Sequence, residues 1–366
     1  MIGSFITTLK PLKPLKVLIV GAGPSGLTAA VELSRMGLLP DLVDKKEYPS
    51  SLSRAVGILP ATMQLLEPSN VAYEIEKQSI VVHKIKFHKN SELIAEVLVN
   101  LFSEKFFNMY ALAQDKTESI LADKFQEYGG SIAYKTEVTD LQQKENKVFV
   151  KLNNEIRPYD IVIGADGTKS IVRECAGIEF LGYELADDWS IADVYTDDSM
   201  TNTDFKVFLK KKNKAAIMVP LEKHRVRIIS NTENALDEVP LDMPINKIKR
   251  TGKFKIEVKQ AERYSKGRVF LVGDAAHSHS PVGGRGMNLG IADAADLANK
   301  IVNGGLDQYH IDRYLAGEKI IKFTEKARKT VLSGNRFKKE LIFFFLVMIS
   351  KSKILNKIFI RRLLTI

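Results

Sequence analysis

The chain has 366 residues, 45% hydrophobic and 27% charged, which is the composition of a globular protein with one large composite domain or two smaller ones. Its single cysteine, Cys175, excludes an intramolecular disulfide and a cysteine-based metal cluster, and predicts a reducing compartment, the cytosol. The net charge of +10 belongs to the two ends, because residues 17–335 are neutral overall, and this distribution argues against a nucleic-acid groove through the fold.

The N-terminal part of the chain predicts a dinucleotide-binding unit. The apolar run VLIV at 17–20 predicts a buried parallel strand, GAGPSG follows at 21–26, and a helical pattern then ends at Gly37. A second strand, DLVD, ends in an acid that can accept hydrogen bonds from ribose hydroxyls. Glycines in such a loop allow a tight turn, an approach of the pyrophosphate to the backbone, and close helix–strand packing. The residues expected to contact the cofactor are Gly21, Gly23, Pro24, Ser25, Gly26 and Asp44. These residues alone do not distinguish FAD from NAD(P).

Two further apolar strands end in aspartate and glycine. One is YDIVIGADGTKS at 159–170 and the other is GRVFLVGDAAHSHSPVGGRGMN at 267–288. The carboxyl ends of parallel strands form the ligand-binding edge of a nucleotide-binding sheet, so all three loops are predicted to converge there. Asp166 also suits an N-cap for a helix beginning near Thr168, a role that is compatible with cofactor contact.

With these three motifs in order, the sequence resembles the class A flavoprotein monooxygenases typified by para-hydroxybenzoate hydroxylase and phenol hydroxylase. The resemblance runs from about residue 16 to residue 330, and the stretches SRAVGILPATMQLLE and ALAQDKTESIL add weaker matches. It implies an α/β fold: a Rossmann-like FAD-binding domain of the GR2 type, an inserted mixed-sheet substrate domain and C-terminal helices.

The resemblance also implies roles at individual positions. Arg54 lies where the family contacts the flavin, and Gln114 and Asp274 lie where it contacts the ribityl chain. Glycines beside Pro281 would let the isoalloxazine lie against bare backbone, and the helix that follows would point its N-terminus at the N1–C2 edge of the flavin. The further cofactor-binding residues expected in this way are Arg54, Gln114, Asp166, Gly273, Asp274, Pro281, Gly284, Gly286, Met287 and Asn288. Arg285 departs from the glutamine that is frequent in relatives.

The domain organisation follows from the resemblance together with a change in sequence pattern. FKVFLKKK, AAIMVPLEKH and RVRIIS alternate apolar and polar residues, as half-exposed antiparallel strands do. The FAD-binding domain is expected at 1–74, 106–180 and 264–330, the substrate domain at 75–105 and 181–263, and basic and apolar helices at 331–366.

The reaction implied is hydroxylation of an aromatic or polycyclic phenolic compound, with NADPH or NADH as transient electron donor and O2 as the oxygen source, through a flavin C4a-hydroperoxide. No metal is expected, and no catalytic residue is assigned. Tyr183, His224 and Tyr264 lie in suitable segments without being favoured as the base, and His277 and His279 are expected to serve loop structure.

Other functions remain open. A tetracycline-type monooxygenase that inactivates a drug would share the fold and differ only in its pocket. A membrane-associated flavin-binding sensor without turnover would explain the basic tail. A flavin halogenase is disfavoured, because the WxWxIP stretch of that group is missing and Trp189 is the single tryptophan.

The C-terminal segment combines apolar runs with basic charge. LIFFFLVMI at 341–349 is too short to span a bilayer as a helix, which takes roughly 20 residues. The last sixteen residues place Ile354, Leu355, Ile358, Phe359 and Leu363 at helical spacing among basic residues. Peripheral membrane contact and packing across the two domains are both consistent with this pattern. The first ten residues do not predict a secretory signal.

Overall fold

The structure is a computed structural model, and it describes residues 15–48, 55–197, 203–239, 243–333 and 335–365. Arg54 therefore lies outside the described residues.

The strands of the described chain are, in order, β1 (Val17–Val20), β2 (Asp41–Val43), β3 (Gly57–Ile58), β4 (Ile80–Val82), β5 (Lys84–Lys89), β6 (Glu92–Leu98), β7 (Met109–Ala111), β8 (Ile132–Ala133), β9 (Val138–Lys144), β10 (Lys147–Leu152), β11 (Glu155–Tyr159), β12 (Ile161–Gly164), β13 (Phe180–Glu184), β14 (Trp189–Thr196), β15 (Asp204–Leu209), β16 (Ala215–Glu222), β17 (Arg225–Ser230), β18 (Ile245–Phe254), β19 (Glu257–Ala261), β20 (Ser265–Lys266), β21 (Val269–Leu271) and β22 (His277–Ser278).

The α-helices are α1 (Pro24–Arg35), α2 (Pro60–Leu66), α3 (Val71–Gln78), α4 (Gln114–Glu127), α5 (Ile171–Cys175), α6 (Gly286–Asn303), α7 (Leu306–Val331), α8 (Arg336–Lys351) and α9 (Lys353–Thr365).

A six-stranded sheet in the order β20-β21-β12-β1-β2-β8 carries the three predicted loops. β21, β12, β1, β2 and β8 run parallel, and β20 pairs antiparallel at one edge. β1 and β12 are buried throughout, as expected of parallel strands covered on both faces. The main apolar core lies between this sheet and the helices α1, α4 and α6. The predicted α/β class is confirmed.

A second, seven-stranded sheet in the order β18-β14-β17-β16-β15-β5-β6 is the inserted mixed sheet. Its pairs are antiparallel except for β15 with β5, which is parallel. β16 and β17 are largely buried, so the expectation of half-exposed strands is wrong for them. They are central strands and are therefore covered on both faces, which alternation in the sequence cannot reveal. The domain boundaries proposed from the sequence stay a prediction.

The last two helices only partly match the predicted packing. On α8, Phe343 and Leu346 are buried while Phe344 and Phe345 are exposed. On α9, which forms the predicted helix, Ile354 and Ile358 are 74% and 60% exposed, whereas Phe359 and Leu363 are partly buried against an apolar cluster. The helix buries Asn356, Ile360 and Leu364, which are spaced four residues apart. The polar Asn356 can be buried because its amide forms hydrogen bonds with the backbone of Leu98. Among the described residues, no helix combines the length and apolar character that a bilayer crossing requires.

Candidate functional site

The three predicted loops meet at one edge of the parallel sheet. A Cβ added at Gly21 would overlap the carbonyl oxygen of Ala165, and one added at Gly273 would overlap the hydroxyl of Ser25. The first loop therefore touches the second loop on one side and the third on the other. Asp44 follows β2, the neighbour of β1 in the same sheet.

The first loop is packed on one side and open on the other. A Cβ on Gly26 would collide with the carbonyl oxygen of Gly21, so the start of α1 lies directly against the turn. Gly21 itself has φ +105°, which favours glycine. Gly23, the residue before α1, has open space where a Cβ would lie. Pro24 and Ser25 form the first turn of α1, whose N-terminus favours an anion.

The buried carboxylate of Asp44 organises this loop. Its Oδ2 accepts from the backbone N–H of Ala22 at 2.8 Å, and its Oδ1 accepts from the N–H of Lys46 at 2.8 Å. The acid is therefore held rigidly beside the glycine turn, with lone pairs left for a ribose.

The Asp166 loop differs in detail from the prediction. The helix after it is α5, which begins at Ile171 rather than near Thr168, and its N-cap is Ser170, whose hydroxyl accepts from Arg173 N–H at 3.0 Å. The Asp166 carboxylate accepts from the Ser170 hydroxyl and from Val172 N–H. The side chain thus supports the cap without being the N-cap residue. Burial raises the pKa of Asp166, although these hydrogen bonds oppose the shift.

The third loop begins at Gly273 and is held in place by Asp293 of α6. The fully buried Asp293 carboxylate accepts from Gly273 N–H at 3.1 Å and from Arg313 Nε at 2.7 Å, and its Oδ2 lies 2.6 Å from His277 Nε2. Burial alone would raise the pKa of Asp293, but its interactions with His277 and Arg313 lower it overall. Asp274 follows Gly273 directly and is exposed at the edge of the sheet.

Sequence reasoning missed this anchor. His277 was expected to serve loop structure, which agrees with its bond to Asp293, but the acid itself was overlooked. A single carboxylate in the otherwise small and apolar stretch GIADAA was the available signal.

The side chain of Asn288 joins two remote segments. Its Oδ1 accepts from Leu59 N–H at 2.9 Å and from the Thr62 hydroxyl at 2.8 Å, while its Nδ2 donates to the carbonyls of Gly57 and Gly284, each at 2.9 Å. Because the amide is fully used by the protein, a cofactor contact at Asn288 is left to its backbone.

The remaining predicted residues of the third loop surround the start of α6. The Pro281 carbonyl accepts from Gly284 N–H at 3.0 Å. Gly284 has φ +62° and open space at its Cβ position. Gly286 is the first residue of α6, and Met287 after it is buried. The loop is therefore a tight turn that presents bare backbone ahead of a helix N-terminus.

His279 lies beside Gly286 and holds an acceptor without a hydrogen-bond partner among the described residues. Its Nδ1 lies 2.9 Å from the carbonyl of Ser280, and its buried Nε2 has no partner there. Burial lowers the pKa of His279 to about 4, so the ring is neutral near pH 7. A neutral ring with a free acceptor is suited to a donor group brought by a ligand.

Gln114 is the first residue of α4. Its Oε1 accepts from Ala55 N–H at 3.0 Å, and its Nε2 donates to Glu118 at 2.7 Å. Burial raises the pKa of Glu118 to about 7.

Arg285 connects the third loop to the C-terminal helix. Its Nη2 donates to the carbonyl oxygen of Leu363 near the end of α9, and its guanidinium carbon lies 5.6 Å from the centre of the Phe323 ring. Burial lowers the pKa of Arg285 to about 10, which still leaves it charged near neutral pH. A cation at the carboxyl end of a helix is stabilising.

An apolar cluster lies between the loops, the mixed sheet and α9. It includes Leu59, which donates to Asn288, and the nearby Val56. Ala113, the neighbour of Gln114 in the chain, and Val219 and Leu221 of β16 belong to it as well. Ile360 and Leu364 of α9 complete it. This is the apolar region that adjoins the predicted flavin edge.

The residues considered as a catalytic base, Tyr183, His224 and Tyr264, are not part of this apolar cluster. The Tyr183 hydroxyl donates to Glu325 at 2.8 Å, Tyr264 is buried beside His277 and His310, and His224 lies in the β16–β17 turn. Among the described residues, no cluster of acids, histidines and cysteine could hold a metal ion.

The residues present fit FAD. Gly23, Gly167 and Gly284, one from each loop, have open space at the Cβ position, while Gly21, Gly26 and Gly273 pack the loops together. Bare backbone and a helix N-terminus supply N–H donors for the pyrophosphate, and a buried carboxylate supplies an acceptor for the ribose, as a dinucleotide requires.

Comparison with known proteins agrees with this geometry. A sequence model of the FAD binding domain family matches residues 14–324. Pentachlorophenol 4-monooxygenase of Sphingobium chlorophenolicum is 29% identical over 357 residues, covering 87% of this chain and 65% of that protein. The chain thus spans slightly less than two thirds of that relative's length.

Solved structures share the fold. The p-nitrophenol 4-monooxygenase PnpA from Pseudomonas putida DLL-E4 superposes with a TM-score of 0.86 at 20% identity, covering 96% of this chain and 98% of PnpA. Aklavinone-11 hydroxylase, solved in a ternary complex with FAD and aklavinone, has a TM-score of 0.70 at 26% identity, covering 84% of this chain and 67% of that one.

Proposed function

The chain belongs to the FAD binding domain family, among its class A aromatic monooxygenases, and from this premise we propose that it hydroxylates an aromatic or polycyclic phenolic compound with FAD, NADPH or NADH, and O2. The observation that carries the proposal is the meeting of three remote loops, at Gly21–Gly26, Asp166 and Gly273–Asn288, each of which leaves open space at the Cβ position of one glycine, Gly23, Gly167 or Gly284.

We assign the cofactor to the residues predicted from the sequence. The first loop and Asp44 would hold the ADP part, with the pyrophosphate at the N-terminus of α1. Gln114 and Asp274 would hold the ribityl chain, and Pro281 with Gly284 would lie against the ring. Arg54 belongs to the same proposal. When bound, FAD would take a hydride from the nicotinamide and activate O2 for transfer of one oxygen atom to the substrate.

The chain's own contribution is positioning and electrostatics. The N-terminus of α6, at Gly286–Asn288, favours negative charge on the nearby edge of the ring. Arg285 adds a buried positive charge one residue earlier. The apolar cluster around Leu59 and Leu221 would hold an aromatic substrate and exclude water.

The names of the relatives support the substrate class. They include a monooxygenase of pentachlorophenol and a hydroxylase crystallised with the polycyclic aklavinone. The expected domain division and a cytosolic location belong to the same proposal. So does peripheral membrane contact through the C-terminal helices, which is supported by their basic charge.

Reconstitution followed by turnover tests the function. Purified protein incubated with FAD is expected to retain the flavin absorbance after gel filtration. It should then oxidise NADPH or NADH faster when a phenol from a panel is added, with one oxygen atom gained by that phenol. If the protein retained flavin but oxidised neither NADPH nor NADH with any phenol, the monooxygenase function would be contradicted and a flavin-binding sensor favoured.

A matched pair of variants links the activity to the site. Gly26→Ala places a Cβ in collision with the carbonyl oxygen of Gly21, whereas Gly252→Ala adds a Cβ at an ordinary 3.7 Å from Ile191. Loss of flavin in the first variant alone supports the assigned loop, and equal retention in both argues against it.

A further inference from the structure

The outer face of α8 is apolar. Phe337, Leu341, Phe344, Phe345 and Met348 follow one another at intervals of four, three, one and three residues, which places them on one helical face. All five are exposed, up to 77% for Phe337, whereas Phe343 and Leu346 on the other side are buried. Five exposed apolar side chains on one helical face mark a contact surface.

The neighbouring helix α9 extends this surface. It packs against α8 and exposes Ile354, Leu355 and Ile358. From Arg336 to the chain end there are eight basic residues and one acid, Glu340, which pairs with Lys89 at 2.7 Å. The charge around the apolar face is therefore strongly positive.

A basic cleft adjoins the same face. This cleft, about 610 Å³ in volume, lies between α7 and α8. Its lining includes Leu341 of the apolar face and the lysines Lys322, Lys326, Lys329 and Lys338. Among its described lining residues the acid is Glu325, which is paired with Arg328 at 2.9 Å. Apolar side chains beside a lysine-lined cleft match the acyl chains and phosphate groups of an anionic lipid surface.

The inner face of α9 reaches the candidate site. Ile360 and Leu364 are buried in the apolar cluster that contains Leu59 and Leu221, and Arg285 of the third loop donates to the Leu363 carbonyl. A single helix thus separates the outer apolar surface from the region assigned to the substrate.

From these observations we infer that α8 and α9 dock on an anionic lipid bilayer and that the substrate is a lipophilic aromatic compound that enters from the bilayer beside α9. The docking part stands independently, while the substrate part rests on the proposed function.

Vesicle binding tests the docking surface. Full-length protein with FAD is mixed with phosphatidylcholine vesicles, with or without phosphatidylserine, and sedimented. Binding is expected with phosphatidylserine and at low salt. The double variant Phe344→Gln/Phe345→Gln should weaken it about tenfold or more. The matched control Ile156→Gln, at an apolar residue 68% exposed on β11, should bind as the unmodified protein does.

The basic cleft has its own variant. Lys326→Gln/Lys338→Gln should weaken binding to phosphatidylserine vesicles by roughly fivefold per charge. Lys144→Gln/Lys151→Gln, at exposed lysines of β9 and β10, should have little effect. If both double variants weakened vesicle binding equally, the effect would come from net charge alone, and the assigned surface would be overturned.

Other occupants of the face give different results. A dimer in sedimentation velocity that the Phe344→Gln/Phe345→Gln variant abolishes would identify a second copy as the partner and overturn the proposal. Vesicle binding that appears only after residues 1–14 are removed would identify that segment as the cover, with the same consequence.

Turnover separates the two parts. NADPH oxidation is measured with phenol in water and with a long-chain alkylphenol dissolved in phosphatidylserine vesicles. The Phe344→Gln/Phe345→Gln variant should lose about tenfold of its rate on the alkylphenol and keep its rate on phenol. Turnover of phenol but not of the alkylphenol would overturn the substrate class. No turnover of either, with vesicle binding intact, would end the proposed function and leave the docking surface standing.

Discussion

The backbone N–H of Ala22 donates to the carboxylate of Asp44 at 2.8 Å, which ties the first glycine loop to the end of the next strand. One acid thus fixes the loop and faces the place assigned to the adenosine ribose. Local order and cofactor binding are expected to depend on the same side chain.

Replacing Asp44 by alanine should therefore affect both properties. Loss of two hydrogen bonds from backbone N–H groups, one buried and one partly buried, is expected to lower the free energy of unfolding by about 1–3 kcal/mol, and FAD affinity should fall. Urea unfolding and FAD titration measure the two effects. Asp123→Ala, at an exposed residue of α4, is the control and should change neither.

The Asp293 anchor predicts a larger effect. Asp293→Asn leaves Arg313 partly buried without its carboxylate and is expected to cost about 3–5 kcal/mol of unfolding free energy. The absorbance spectrum of bound FAD should also change, because Gly273 and Asp274 lose their support. Asp296→Asn, which removes a more exposed pair with Lys300, should cost less than about 1 kcal/mol. Similar losses in the two variants would contradict the anchor.

Glu118 predicts a dependence of stability on pH. Its pKa is raised by burial from 4.5 to about 7, so the folded protein keeps a proton that the unfolded chain releases. The associated stability is complete below about pH 4.5 and is lost as the pH rises through about 7, in total on the order of 3 kcal/mol.

Glu118→Gln removes this ionisation and keeps the hydrogen bond from Gln114. The variant should match the unmodified protein in urea unfolding near pH 4 and exceed it at pH 8. Parallel stability curves across that range would rule out Glu118 as their source.

Arg285→Gln tests the link between the third loop and α9. Loss of the bond to the Leu363 carbonyl should loosen the end of α9 and speed proteolysis after its basic residues. Arg35→Gln, which removes an ion pair with Glu32 on α1, serves as the control. Equal proteolysis at α9 in the two variants would show that the arginine does not hold the helix.

Much of the fold was predictable because its signals are local. VLIV, the glycines that follow and the acid ending DLVD are close in sequence, and the same pattern recurs at Asp166 and Asp274. A local pattern was misleading where exposure depends on neighbours, as for the buried central strands β16 and β17.

The sequence by itself determined the parallel sheet and its three loops, since glycine conformations and strand periodicity are properties of short segments. Only the tertiary structure decided that Asn288 binds Leu59 and Thr62 more than 200 residues away, that Asp293 supports Gly273, and that α9 turns Ile354 and Ile358 outward. The physical reason is that a polar side chain takes its partner, and an apolar one its burial, from whatever the packed chain brings beside it.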